Sequence, residues 1–260
     1  MNLIVFDIDD TLTKSEYQHQ LAYVNTMKEF GITEINQNWK EYKHHTDSFI
    51  LKENYENNLP EKFDFSFIEN FENRMTELIL SLKKVSEIKG AKKIIEFFVN
   101  KTDYAISFAT GSLLKPAFVK LNQSEIKYNE NLVVGSNGIY EREGIVEKAI
   151  EKAKDFHKVK SFSNIISVGD GIWDLKTARN LELHFIGIGM KNYLDFEKEK
   201  IKVHIKDWNE FDLTQVEQKL GIKNAKRNLS RSINLYNILP FCKLIDQKVK
   251  KININKKLIY

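Results

Sequence analysis

The chain has 260 residues, with 42% apolar and 29% charged side chains, the balance of an ordinary soluble globular protein of one large or two modest domains. No run approaches the roughly 18 apolar residues of a membrane span, no secretory leader is visible, and the single cysteine, Cys242, rules out an intramolecular disulfide and suits a reducing cytoplasm. The net charge of +4 is uneven: residues 221 to 260 carry ten basic side chains and one acidic one, Asp246, which leaves residues 1 to 220 at −5, with no basic field for nucleic acid.

The first predicted element is an apolar strand, Leu3 to Phe6, that runs into Asp7-Ile8-Asp9-Asp10-Thr11. Crowded carboxylates repel one another, and at the carboxyl end of a strand in an open α/β sheet they point to a hard cation with oxygen ligands. Taken alone, the run also fits a Walker B strand, a receiver domain or an acidic turn. Residues 14 to 88 then show helical spacing: Leu21, Val24, Met27 and Phe30, and later Ile68, Phe71, Met75, Leu78, Ile79, Leu82 and Val85. A compact polar stretch, Tyr42 to Ser48, interrupts that pattern. Its paired histidines lack zinc-like spacing.

From residue 89 strands and helices alternate, which predicts a parallel sheet covered on both faces. A helix starts at Lys89-Gly90-Ala91, and a buried strand, 104 to 109, ends in Thr110-Gly111-Ser112. A helix over 113–121 leads to a strand at 132–134, and a further helix spans 146–158. The strand 165–168 ends in Gly169-Asp170-Gly171-Ile172-Trp173-Asp174, followed by a helix over 173–180, a strand over 184–188 and a short edge strand at 203–205.

Asp-x-Asp-x-Thr after the first strand, Thr110 after the second, an isolated lysine near Val146-Glu147-Lys148, and Gly-Asp-x-x-x-Asp at 169–174 occur in that order. The pattern resembles the haloacid dehalogenase-like superfamily, over roughly residues 1 to 205. The resemblance implies a Rossmann-like, doubly wound parallel sheet (1–13 and 89–210), an inserted all-helical cap (14–88) placed as in phosphoglycolate phosphatases and β-phosphoglucomutases, and a basic extension (211–260). The two linkers between cap and core make a hinge that lets the cap close and exclude water.

The chemistry implied is phosphate monoester hydrolysis. Asp7 is the nucleophile that forms an aspartyl-phosphate. Asp9 occupies the family's general acid and base position. Asp10 caps the following turn, and Thr11 bonds locally to hold the Asp9 loop. Mg²⁺ is expected on Asp7, Asp170, Asp174 and, through its backbone carbonyl, Asp9. Thr110 and Gly111 offer a hydroxyl and backbone donors to phosphate. Lys148 is the expected neutralising cation, with Lys152 and Lys154 as runners-up, because the family's Lys-Pro step is absent. His44, His45, Thr46 and Asp47 are the weak candidates for specificity, a helix cap at Asp47 being the competing reading. A phosphatase for a small phosphorylated metabolite is the leading expectation, with a phosphomutase on the same fold or a non-enzymatic phosphate-binding regulator as alternatives. The basic tail, broken near Pro240, is a solvated extension or docks on the acidic body, joins two subunits or lies on an anionic membrane. The opposite charge of the body favours docking or self-association over the membrane.

Overall fold

The first strand, β1 (Asn2–Phe6), lies at the centre of the sheet. Its alternating side chains divide between two faces. Ile4 and Phe6 enter one apolar cluster, and Leu3 and Val5 enter another on the opposite side. The structure is a computed structural model that describes residues 1–223, of which 1–222 form one compact unit.

After β1 the chain forms β2 (Thr13–Lys14), α1 (Glu16–Glu29), α2 (Asp47–Asn58), α3 (Ser66–Ser81) and β3 (Ser86–Glu87). It continues through α4 (Ala91–Lys101), β4 (Tyr104–Ala109), α5 (Leu114–Gln123), β5 (Val133–Val134), α6 (Arg142–His157) and β6 (Ile165–Gly169). The last elements are α7 (Ile172–Asn180), β7 (His184–Ile188), α8 (Tyr193–Lys198), β8 (His204–Ile205) and α9 (Leu213–Leu220). The main sheet has the order β5-β4-β1-β6-β7-β8, and every pairing in it is parallel. The chain first winds outward from β1 through β4 to β5, then returns to β6 and winds the other way. The carboxyl ends of β1, β4 and β6 therefore meet where the winding reverses, the crevice in which such sheets take ligands.

One face carries α4, α5 and α9, whose Phe98, Ala117 and Leu220 pack with Phe6, Phe108 and Trp208. The other carries α6 through Ile145, Ala149 and Ile150. Helix α9 extends the α/β unit. Leu213, Val216, Leu220 and Ile222 join the core cluster, so the unit runs to Ile222 and does not stop at 210. The expected tail helices around Leu235 to Val249, together with Pro240 and Cys242, lie outside the described residues. Among the described residues no helix is long and apolar enough to cross a membrane.

Helices α1 to α3 share their own apolar cluster, built on Tyr23, Met27, Leu51, Phe71, Met75 and Ile79 and closed by Leu113 from the loop before α5. The two linkers to this helical segment pair as an antiparallel ribbon, Thr13 opposite Glu87 and Lys14 opposite Ser86. Two boundaries move against the sequence reading. Helix α6 starts at Arg142, four residues before 146, and the strand expected over 132–134 loses Leu132 to a 3₁₀ turn.

Candidate active site

Asp7 leaves β1 with its backbone N–H bonded to Val168 O of β6 at 2.9 Å, so the carboxylate is aimed from a rigid stem. Thr11 Oγ1 donates to Asp7 Oδ2 at 3.0 Å and Arg142 Nη2 donates to Asp7 Oδ1 at 3.0 Å. Thr11 thus holds the Asp7 carboxylate, where the sequence reading had it holding the Asp9 loop. Asp10 adopts φ 52 and accepts the N–H groups of Ser15 and Glu16 at 3.0 and 3.1 Å, which caps the start of α1.

At the end of β6, Asp170 and Asp174 are both buried. One carboxylate oxygen from each of Asp7, Asp170 and Asp174 lies within 4.8 Å of the others. Asp174 sits in the first turn of α7, accepts Gly171 N–H at 3.1 Å and pairs with Arg142. The helix-start position and the site position are therefore the same position. The two glycines of this loop are needed for close approach: a Cβ on Gly169 would lie 2.3 Å from the Asp174 carboxyl, and one on Gly171 would lie 2.0 Å from the Trp173 ring.

Burial, then repulsion from Asp174, lifts the Asp7 carboxyl to about 7 against the pull of Arg142. Asp170 is lifted well above the carboxylate range by burial and by Asp174 and Asp7. Three buried acids facing one arginine are short of positive charge. Their all-oxygen donor set fits a hard divalent cation of the Mg²⁺ type.

On the β4 side, Thr110 N–H bonds Val134 O at 2.9 Å and Thr110 Oγ1 accepts Ser112 N–H at 3.1 Å. A Cβ on Gly111 would lie 2.6 Å from Arg142 Nη1 and 2.7 Å from His45 O, so only glycine lets the guanidinium through.

Lys148 is not in the site. It is exposed and pairs with Glu151 at 3.2 Å. Six residues along α6 from Arg142, at about 100° per residue, carry it about 240° round the helix. Lys152 turns to Val133 O, at 3.2 Å. The cation that reaches Asp7 is Arg142, buried and lodged between Asp7 and Asp174. Its sequence signal was its place in the first turn of a helix whose apolar stripe (Ile145, Ala149, Ile150) begins just after it.

Asp9 turns away from the acidic triad. Both of its oxygens accept from Lys120 Nζ, at 2.7 and 2.6 Å, and Ser15 Oγ lies 2.5 Å away. Burial acts to raise this carboxyl, but Lys120 and the Ser15 hydroxyl overcome it and hold it down at about 2. Its side chain is therefore not grouped with Asp7, Asp170 and Asp174, and its pairing with Lys120 favours the ionised form. Lys120 is fully buried on the apolar stripe of α5, beside Pro116, Ala117 and Leu121, and a lysine on that stripe was the signal the sequence offered.

Of the polar stretch 44–47, the structure brings His45, Thr46 and Asp47 to the cleft and leaves His44 aside, against Phe49 and 3.7 Å from Glu141. Thr46 is the N-cap of α2, and Asp47 is its first residue. Asp47 Oδ1 meets His19 Nε2 at 3.0 Å, and Asp47 Oδ2 accepts Leu113 N–H at 3.0 Å.

His45 stacks flat on Trp173, with centroids 3.8 Å apart. Burial, then the charge of Arg142, pushes His45 down to about 4. The folded value lies below the unfolded one of about 6.5, so the unfolded chain takes the proton first, and this stabilisation is present above pH 6.5 and lost as pH falls toward 4. We expect His45→Phe to remove that loss, about 3 kcal/mol between pH 7 and 4 in denaturant titrations against wild type. Parallel curves for the two proteins would contradict it.

A search of curated proteins finds no match. Among solved structures, a haloacid dehalogenase hydrolase of family IA, variant 3, from Entamoeba histolytica superposes with a TM-score of 0.64 at 18% identity, covering 85% of this chain and 100% of that one. CbbY from Rhodobacter sphaeroides, in complex with phosphate, gives 0.63 at 15% identity, with 83% and 98% covered. β-Phosphoglucomutase from Clostridium difficile gives 0.60 at 16% identity, with 84% and 96% covered. At such identities the likeness is one of fold. The model of the haloacid dehalogenase-like hydrolases matches residues 4–188, which spans β1 to β7 and well over half of the sequence. With the strand ends of β1, β4 and β6 carrying the motifs in that order, the chain belongs to the haloacid dehalogenase-like hydrolase family.

Proposed function

We propose that the chain is a cytoplasmic, Mg²⁺-dependent phosphatase that hydrolyses a small phosphorylated metabolite through a phosphoryl group carried on Asp7. The observation that supports it most is the convergence of Asp7, Asp170, Asp174 and Arg142 beside the Thr110-Gly111 turn at the crevice of the sheet. An Asp7 oxygen attacks phosphorus and the ester P–O bond breaks. Asp9 would first leave its pairing with Lys120 and Ser15 and take a proton from solvent, and then give that proton to the departing alkoxide. Water then attacks the phosphoryl group, its proton goes to Asp9, the Asp7–phosphorus bond breaks, and inorganic phosphate and the original carboxylate return. Asp7, Asp170 and Asp174 would hold Mg²⁺, which supplies positive charge to the phosphate oxygens. Arg142 keeps Asp7 oriented and its charge balanced. The helical segment α1 to α3 acts as a cap over the cleft.

The far wall of the cleft favours hydrolysis over a mutase reaction. It is formed by Glu16, His19, Gln20, Tyr23, Trp39 and Asp47. Lys191, the lysine at this wall, is already paired with Glu16, and Asp47 is paired with His19, so a second phosphate of a sugar bisphosphate would meet little free positive charge there. The alcohol half of the substrate is accordingly hydroxylated or neutral.

The test is phosphate release from a panel of phosphorylated polyols, sugars, acids and nucleotides. Turnover is expected with Mg²⁺, and a chelator should reduce it at least about 100-fold, the scale of removing one site of charge stabilisation. Ca²⁺ should not substitute, because it prefers more ligands and longer bonds. Full activity in chelator, or isomerisation of a sugar phosphate without phosphate release, would refute the reading.

A further inference from the structure

Helix α1 opens on Glu16, whose side chain lines the cleft and is 36% exposed. Its backbone N–H is met by Asp10 Oδ1 at 3.1 Å. Its carboxylate is divided between two roles. Oε1 accepts from Gln20 Nε2 at 3.1 Å and from the Lys191 ammonium. Oε2 has no hydrogen-bond partner among the described residues. Lys191 comes from the loop between β7 and α8, where the next residue, Asn192, donates to Asp170 O at 2.8 Å. The Glu16–Lys191 pair thus joins the first turn of the helical segment to the loop that also steadies Asp170.

The unpaired groups of these two side chains are acceptors. Gln20 spends its amide N–H on Glu16, and its amide oxygen, like Glu16 Oε2, has no partner among the described residues. Neighbouring donors on the same wall are spent: Tyr23 Oη donates to Asp47 O at 2.5 Å, and His19 Nε2 meets Asp47 Oδ1 at 3.0 Å. Unpaired acceptors are satisfied by groups that bring a proton. A hydroxyl brings one, and an ionised carboxylate brings none. The charge of Glu16 adds a second discrimination, because like charges brought face to face penalise the wrong ligand. Lys191 cannot answer an incoming acid while Glu16 holds it.

We propose that Glu16 is a specificity-determining residue. With Gln20 it selects phosphate esters of neutral polyhydroxy alcohols, and it rejects those of hydroxy acids by its own charge and by keeping Lys191 occupied. The inference rests on the phosphatase reading above. A carboxylate in the first turn of a helix is also stabilised by the helix dipole. That effect is the same whatever the substrate, so it cancels when two substrates are compared on one protein. An unfavourable contact aimed at the competitor does not cancel.

The experiment compares kcat/KM within two matched pairs, glycerol 3-phosphate against 3-phosphoglycerate and glucitol 6-phosphate against 6-phosphogluconate. In each pair the acid carries a carboxylate where the alcohol has a hydroxymethyl group. The proteins are full-length wild type, Glu16→Gln, Lys191→Met and the double variant, all with Mg²⁺. Wild type should favour the alcohol about 10-fold or more in at least one pair, the scale of like charges a few ångströms apart near a protein surface. Glu16→Gln should erase about 10-fold of that preference, mainly through a lower KM for the acid, since the repelling charge is gone and Lys191 is released. Lys191→Met should move the ratio the other way, about 5-fold further toward the alcohol, because Glu16 keeps its charge and loses its partner. It carries the comparison if Glu16→Gln does not fold. Adding Lys191→Met to Glu16→Gln should take back the gain on the acid. Shifts of opposite sign are what a helix-capping role would not give. A Glu16→Gln ratio within about 2-fold of wild type, a wild-type preference for the acid in both pairs, or no turnover of either alcohol would overturn the proposal. Wild-type turnover of 4-nitrophenyl phosphate tests the phosphatase reading separately. Its absence defeats that reading, whereas turnover with an unchanged ratio defeats only this one.

Discussion

Asp7→Asn should lower kcat below about a hundredth of wild type on every substrate, more than loss of acid–base help alone would cost. The amide is nearly isosteric, so binding should survive, but it cannot attack phosphorus and hold the phosphoryl group as an ester. The fold should not suffer. Asp7 is one of three buried carboxylates crowded within 4.8 Å, and neutralising it relieves repulsion. The metal-free variant should therefore melt at or above the wild-type temperature. Phosphate release and a thermal melt on the same preparation check both halves. Activity above a hundredth of wild type in a folded Asp7→Asn protein would remove Asp7 from the nucleophile role.

Arg142→Met is expected to damage activity and stability together, and Lys148→Ala neither. Arg142 is the partner of both Asp7 and Asp174, and its removal leaves buried carboxylates uncompensated, a situation that costs about 3–5 kcal/mol. Lys148 is exposed and pairs only with Glu151, so its replacement should stay within about 0.5 kcal/mol. The Arg142→Met penalty depends on pH. Burial already raises Asp7 above its unfolded value, to about 7, and without Arg142 the folded protein holds the proton more tightly still. A raised acid stabilises the folded state while protonated and loses that contribution as pH rises through the folded value. The variant should thus be closest to wild type near pH 5 and furthest from it at pH 8. Mg²⁺ should recover part of the loss at pH 8, since a cation on the three carboxylates replaces the missing charge. On turnover, loss of this charge should cost at least about 100-fold. A variant as stable as wild type at pH 8 without metal would show that Asp7 and Asp174 do not depend on Arg142.

The acidic half of the site was readable because its chemistry is local. Asp7 follows an apolar strand, and Asp170 and Asp174 follow another inside a glycine-bearing turn. A strand end fixes where the next few side chains go. The same logic located Thr110 and Gly111 after β4. The helical insertion was equally legible, because Met27, Phe71, Met75 and Ile79 recur at helical spacing where the strand alternation stops.

The basic half was not readable from spacing. Lysines at 148, 152 and 154 are alike in sequence, and a helix face is decided by where the helix starts. Beginning at Arg142, α6 turns Arg142 to the crevice and Lys148 to water. Lysines on helices are usually solvated, and the packing of α5 against the sheet and α3 is what seals Lys120. The Asp9–Lys120 and Asp7–Arg142 pairs join residues 111 and 135 apart, and the His19–Asp47 contact depends on how two helices of the insertion lie together. The strand-end carboxylates and the order of elements are legible along the chain because each depends on neighbours a few residues away. The tertiary structure alone decided which cations answer those carboxylates, because charge pairing between distant segments is set by packing and leaves no periodic trace in the chain.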